Sequence, residues 1–201
     1  MTRIIAGSAR GRRLAVPGSG TRPTSDRVRE ALFSALESEW VALGLDWSQV
    51  PVLDLFAGTG ALGLEALSRG AVRAHLVERS RPAARTLAAN VAAVGCPGAE
   101  VVIRDATQLA ATPAPQPPAR LVFADPPYDW PAVDLALLLE RLHACGWIAD
   151  DAILVVERPA RDHGSPLPSG WQELRRRPYG DTVLWYGRVA PVVDVDAEEG
   201  V

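Results

Sequence analysis

Residues 52–63, VLDLFAGTGALG, constrain the fold of this chain more than any other stretch. Val52 to Phe56 is a short apolar run, the pattern of a strand buried on both faces. Ala57 to Gly60 is a glycine turn, and Ala61 to Leu67 has helical composition. Strand, glycine turn and helix in that order open a nucleotide-binding α/β unit. Glycines let the backbone approach a ligand closely, and the helix start offers unpaired N–H groups. Gly58-Thr-Gly60-Ala-Leu-Gly63 also satisfies the GxGxxG spacing of dinucleotide folds. Glu78 ends a second apolar run 18 residues after Gly60, where an acid can take ribose hydroxyls.

The rest of the chain keeps this alternation. Residues 3–16 read as a β-hairpin about a turn at 7–11. Thr24 or Ser25 caps a helix to about Ser38, with Val28, Ala31, Leu32, Ala35 and Leu36 on one face. Strand 52–56, helix 61–69, strand 73–78, helix 81–94 and strand 100–104 follow. A short helical turn and the proline-rich stretch 112–118 lead to strand 120–124, a helix over 132–145 and strand 152–157. Residues 171–177 and 182–189 read as antiparallel strands about a turn at 178–181. Such alternation builds a mostly parallel sheet with right-handed crossovers, and ligands gather at the carboxyl ends of its strands. Asp54, Gly58, Glu78, Asp105 and Asp125 all fall at or just past such ends.

Residues 121–128, LVFADPPY, supply the second constraint. Pro126 and Pro127 have no backbone N–H, so a loop that opens on them presents carbonyl oxygens. Beside the Asp125 carboxylate they make an acceptor-only cradle, suited to an exocyclic NH₂ with two hydrogens to donate. Tyr128 offers a flat face on which a base can stack. Two ligands compete for the glycine loop: a nicotinamide dinucleotide and S-adenosylmethionine. Asp54 lies four residues before Gly58, where its charge repels a pyrophosphate. S-adenosylmethionine carries a sulfonium and an ammonium and no phosphate, so the acids favour it. An NAD-dependent oxidoreductase also leaves the DPPY cradle without a use.

Composition sets the limits. With 201 residues, 48% hydrophobic, the chain makes one domain that buries about 70% of its unfolded surface. It has no apolar run of membrane-spanning length and no apolar segment of signal-peptide type at its start, which points to the cytoplasm. Cys96 and Cys145 lack metal spacing, and His75, His143 and His163 are scattered, so no metal site is expected. Net charge is −3, yet residues 1–30 hold seven arginines against Asp26 and Glu30. Arg175 to Arg177 form a second cluster, and acids gather in the tail. The basic start is the expected phosphate-contacting region, through Arg3, Arg10, Arg12, Arg13 and Arg22.

The segments Arg3-Ile-Ile-Ala-Gly7, Gly11-Arg-Arg-Leu14 and RPTSDRVREALF at 22–33 join the glycine loop and DPPY in one pattern. In it the chain resembles the bacterial small-subunit ribosomal RNA guanine-N2 methyltransferase family, within the class I S-adenosylmethionine-dependent methyltransferases. Only the stretch 112–118 and the acidic tail after about Ala190 stand outside the likeness. The resemblance implies a Rossmann-like, seven-stranded, mostly parallel α/β sheet preceded by a small hairpin. The hairpin occupies 1–20, the methyltransferase domain 21–190, and a flexible tail 191–201. It also implies a cofactor site lined by Asp54, Phe56, Ala57, Gly58, Gly60, Glu78, Arg79, Asp105, Ala106 and Asp125. Glu78 is expected on the ribose and Asp105 on the adenine amine, with the Ala106 amide on the ring. Asp125, Pro126, Pro127 and Tyr128 would carry catalysis on a guanine of 16S rRNA, within a small-subunit particle, by a monomer without metal. DNA amino-methyltransferases share the glycine loop and DPPY, but 201 residues leave little room for their target-recognition domain.

Overall fold

The computed structural model describes residues 2–16, 25–162 and 164–190. Apolar runs with no polar face give strands that must be covered on both sides, and the chain covers them with helices. Strands β1 (Thr2–Arg3) and β2 (Arg13–Leu14) form the hairpin, and helix α1 spans Asp26–Leu43. Strand β3 (Pro51–Asp54), helix α2 (Ala61–Ser68), strand β4 (Arg73–Val77), helix α3 (Arg81–Val94) and strand β5 (Ala99–Val102) follow. After a 3₁₀ turn at Ala106–Ala111 come β6 (Ala119–Ala124), α4 (Ala132–Ala144), β7 (Ile148–Pro159), β8 (Gln172–Tyr179) and β9 (Thr182–Arg188). The seven-stranded sheet runs β5-β4-β3-β6-β7-β9-β8, parallel from β5 to β7, with β9 and β8 added antiparallel. This is the expected Rossmann-like α/β architecture with its preceding hairpin.

The period of two sorts side chains between two cores. On β6, Leu121 and Phe123 join the hairpin, α1, α2 and α3, whereas Val122 and Ala124 face α4 and the 3₁₀ turn. Val52/Leu53 on β3 and Ile153/Leu154 on β7 split the same way. Chain order reverses between β3 and β6, so the crevice opens beside Asp54 and the end of β6.

Helix α1 is longer than expected because its buried stripe continues past Leu36 to Trp40, and Gly44 (φ 66°) closes it. Its inner face is also rotated: Arg29 and Phe33 are buried, and Ala31 is exposed. Strand β7 starts four residues early, where a register shift between Ala119 and Leu121 lets Ile148 pair ahead of the main ladder. The β8–β9 turn narrows to Gly180 and Asp181, since Tyr179 already pairs with Thr182.

The hairpin is fastened to α2 and α3 by polar groups. Glu65 is fully buried, and its carboxylate accepts the Ile5 and Ala6 amides (2.7 and 3.0 Å) and the Arg69 guanidinium (2.9 Å). Ser68 and Asn90 bind the backbone of Ala9 and Ala15 in the same manner. The tail 191–201 lies outside the described residues.

Candidate active site

Every parallel strand from β5 to β7 ends on one side of the molecule, and a cavity of about 830 Å³ lies there. Asp54, Phe56, Ala57, Gly58, Glu78, Arg79, Asp105, Ala106, Asp125, Pro126, Pro127 and Tyr128 all line it. Gly60 does not. It caps α2 at φ 79°, and a Cβ there would sit 2.5 Å from Leu87 and 3.0 Å from Leu64. Its task is therefore to let α2 and α3 close together. Gly63, where a Cβ would meet Leu76 at 2.2 Å, packs α2 against β4.

Asp54 ends β3 beneath the glycine turn, 3% exposed, with Oδ2 accepting the Gly63 amide at 3.2 Å. Burial pushes its pKa up to about 7, opposed by hydrogen bonds from the Gly63 and Phe56 amides and reinforced by the Glu78 charge. The Glu78 carboxylate accepts the Gly58 amide (3.1 Å) and the Ser80 amide (2.6 Å). The loop amide that a pyrophosphate would need is thus already given to a carboxylate, with a second carboxylate behind it. Each Glu78 oxygen keeps a further lone pair for a hydroxyl.

Asp105 caps the 3₁₀ turn: Oδ1 accepts from the Thr107 amide (3.0 Å) and hydroxyl (2.8 Å). These bonds hold its carboxyl below the usual range, with a smaller contribution from Arg79, 3.7 Å from Oδ2. At the opposite wall, Asp125 follows β6. Burial, the Glu157 charge and the Asp54 charge push its pKa up to about 8, with Arg158 opposing. Pro126 is buried and Pro127 exposed. The Pro127 carbonyl accepts from the Trp130 amide at 2.9 Å, which leaves Pro126 as the proline carbonyl of the cradle. Tyr128 is 45% exposed at the mouth. The Trp130 ring meets Phe56 edge-on at 4.8 Å and joins the DPPY loop to the glycine loop.

Among the lining residues that sequence reasoning did not assign to the site, four carry polar or aromatic groups from outside the glycine loop and its neighbours: Arg29, Trp130, Glu157 and Asp181. Arg29 passes for a solvated helix residue, yet it is 1% exposed and donates to the Arg3 carbonyl (2.6 Å) and Asp26 (3.0 Å). Glu157 stands past the apolar part of β7, in the position that singled out Asp54 and Asp125 on their strands, so the strand-end rule could have found it. Asp181 arrives on a hairpin turn and leaves no local signal.

None of Arg3, Arg10, Arg12 and Arg13 lines the cavity. Arg3 pairs with Asp26 at 3.2 Å, and Arg12 donates to the Ala93 carbonyl at 2.5 Å near the end of α3. Arg10 and Arg13 are exposed, and Arg22 lies outside the described residues. A second arginine group, Arg79, Arg81, Arg85 and Arg104, surrounds a concavity of about 540 Å³ beside Asp105. Among the described residues no group of three or more His, Cys, Asp or Glu could hold a metal, and no helix is long and apolar enough to cross a membrane.

The chain is 40% identical over 179 residues to "Ribosomal RNA small subunit methyltransferase D" of Escherichia coli, covering 89% of this chain and 85% of that one. The solved structure of Escherichia coli yhhF superposes with a TM-score of 0.78 at 36% identity, over 94% of this chain and 98% of that one. An RNA methyltransferase of Salinibacter ruber, solved with S-adenosyl-L-homocysteine, matches at TM-score 0.61 and 16% identity, over 89% of this chain and 100% of that one. At that identity it shows the shared methyltransferase fold alone. A family model described as "Conserved hypothetical protein 95" matches residues 2–188, and the chain belongs to that family.

Proposed function

We propose that this chain transfers a methyl group from S-adenosylmethionine to the exocyclic N2 amine of a guanine in small-subunit ribosomal RNA. The observation that carries the reading is a single cavity. It joins an acid-lined glycine loop to an Asp-Pro-Pro-Tyr cradle, in a chain 40% identical to a protein named for small-subunit rRNA methylation.

The residues fit the cofactor. Asp54, Glu78 and Asp105 bring carboxylates to the cavity, and no cation stands on the turn 57–60. Glu78 would hold ribose hydroxyls, and Asp105 with the Ala106 amide would hold the adenine edge. When bound, S-adenosylmethionine supplies a methyl group on a cationic sulfur. The chain supplies position and charge. The lone pair of a guanine N2 is delocalised into the ring. Asp125 and the Pro126 carbonyl accept its two hydrogens, draw the nitrogen towards tetrahedral geometry and turn its lone pair into the cavity. Orientation of this kind is worth on the order of 7–11 kcal/mol. The carboxylate of Asp125 also stabilises positive charge that develops on the amine, and it can take up the proton that the methylated nitrogen sheds to become neutral.

The base must leave its stack, at a cost of a few kcal/mol. Tyr128, half-exposed at the mouth, returns about 1–3 kcal/mol by stacking. Arg10 and Arg13, exposed on the hairpin, contact phosphates together with Arg3, Arg12 and Arg22, and they add affinity rather than base choice.

The test is chemical. Purified protein, S-adenosylmethionine with a labelled methyl group and small-subunit particles from cells lacking the protein are combined, and the rRNA is digested for mass analysis. N2-methylguanosine is expected. Label in N6-methyladenosine, or in no nucleoside, overturns the reading.

A further inference from the structure

An amine cradle alone does not choose a base. Guanine, adenine and cytosine each carry an exocyclic NH₂, and an Asp and a proline carbonyl would accept hydrogens from any of them. The ring atom beside the amine differs. In guanine the neighbour on the Watson–Crick edge is N1–H, a donor. In adenine it is N1, and in cytosine N3, both acceptors. A group placed beside the cradle can therefore read the base from that one atom.

The structure places Glu157 there. Strands β6 and β7 run parallel with Ala124 opposite Val156, so the next residues along, Asp125 and Glu157, emerge side by side. Register partners in a parallel pair project to the same face, and both residues line the 830 Å³ cavity. The next residue, Arg158, is 3% exposed and turned to the protein: it donates to the Trp130 carbonyl (2.7 Å) and to Asp162 (2.7 Å). That anchor ties the end of β7 to the DPPY loop and fixes Glu157 relative to the cradle.

The geometry points to Glu157 as the residue that selects guanine, by accepting the N1–H hydrogen beside the amine held at Asp125. Three N–H hydrogens of guanine then meet three acceptors: Asp125, the Pro126 carbonyl and Glu157. Adenine or cytosine would set a ring lone pair against the Glu157 carboxylate and gain no hydrogen bond. The base that lacks the hydrogen forfeits one charge-assisted hydrogen bond and meets lone-pair repulsion in its place, and that difference rejects it. This inference rests on the proposed methylation of guanine N2.

The experiment uses 2-aminopurine, which keeps an amine at the same carbon but has an acceptor at N1. The target nucleotide is mapped with unmodified particles, and particles are rebuilt with guanine or 2-aminopurine at that position. The wild-type chain is expected to favour guanine about 100-fold or more in kcat/KM. Glu157→Gln, whose amide can turn its NH₂ to an acceptor, should lower that ratio at least tenfold. Glu157→Ala should lose most guanine turnover while its rate on 2-aminopurine stays within about threefold of wild type. Melting temperature and calorimetric S-adenosylmethionine affinity, measured on each variant, separate a misfolded chain from a changed preference. A wild-type ratio in both folded variants overturns the assignment of Glu157. A wild-type chain that methylates no guanine overturns the underlying reading instead.

Discussion

Asp125→Asn should make the protein more stable while it removes the cradle, and the gain should depend on pH in one direction. The Asp125 carboxyl has an ordinary pKa of 3.8 and is pushed up to about 8 in the folded chain, by burial first and then by the charges of Glu157 and Asp54. Below about pH 4 the group is protonated in both folded and unfolded chains, and it costs nothing. Between pH 4 and 8 the unfolded chain releases a proton that the folded chain retains. Stability therefore falls as pH rises, by up to about 1.4 kcal/mol per pH unit. At pH 7 that ceiling is about 4 kcal/mol. Asp54 and Glu157 share the same repulsion, so removing one carboxylate should recover about half, ~2 kcal/mol. For a chain of this size that corresponds to a melting temperature higher by about 4–8 °C. Thermal melts followed by circular dichroism at pH 4, 5.5, 7 and 8 measure it directly. The gain should be near zero at pH 4 and largest at pH 7–8. A gain that is equal at all pH values, or a variant less stable than the parent at pH 7.5, refutes the claim that the crevice penalises ionisation of this carboxyl.

The same raised pKa predicts that kcat/KM for methyl transfer climbs as pH rises through about 8, because only ionised Asp125 has its full acceptor set. A pH profile flat from 6 to 9 contradicts this. Glu78→Ala should weaken S-adenosylmethionine binding about tenfold or more by calorimetry, since a charged acceptor contributes about 1.5–3 kcal/mol. Equal affinity removes Glu78 from the ribose. Glu65→Ala should lower stability to denaturant by about 3–5 kcal/mol, because two amides and the Arg69 guanidinium lose a buried partner. A loss below about 1 kcal/mol means that the hairpin is not fastened through Glu65. Arg10 and Arg13 changed together to Ala should flatten the slope of log binding constant against log salt by roughly 1.4–1.8, about 0.7–0.9 per phosphate contact. If the slope moves only on changing Arg81, Arg85 and Arg104, RNA crosses the second arginine group instead.

Much of this architecture could be read from local chemistry, and the limits of that reading have physical causes. The sheet was legible because a parallel strand buried on both faces needs a near-continuous apolar run, and Val52–Phe56, interrupted only at Asp54, and Leu121–Ala124 are such runs. Helix α3 was legible to the residue, because Ser80 at its start and Gly95 at its end leave no competing boundary. Helix α1 was not. Its stripe includes Arg29, whose guanidinium donates to the Arg3 carbonyl and to Asp26, and a periodicity of apolar residues cannot register a buried cation. The acid-lined wall was legible because each acid falls at or just past the end of its own strand, so the topology alone gathers Asp54, Glu78 and Asp105. Gly60 carries a second message: a glycine spacing records that backbone comes close to something, and here the close neighbour is Leu87. Asp181 required knowledge that β9 inserts between β7 and β8 and carries its turn back to the crevice. That pairing is antiparallel and non-local, and no window along the chain contains it. The crevice therefore divides into two kinds of wall. One is written strand by strand in the sequence, with an acid at each carboxyl end. The other is assembled from α1, the DPPY loop and the final hairpin, and its Arg29, Trp130 and Asp181 reach one cavity only once the long-range packing is complete.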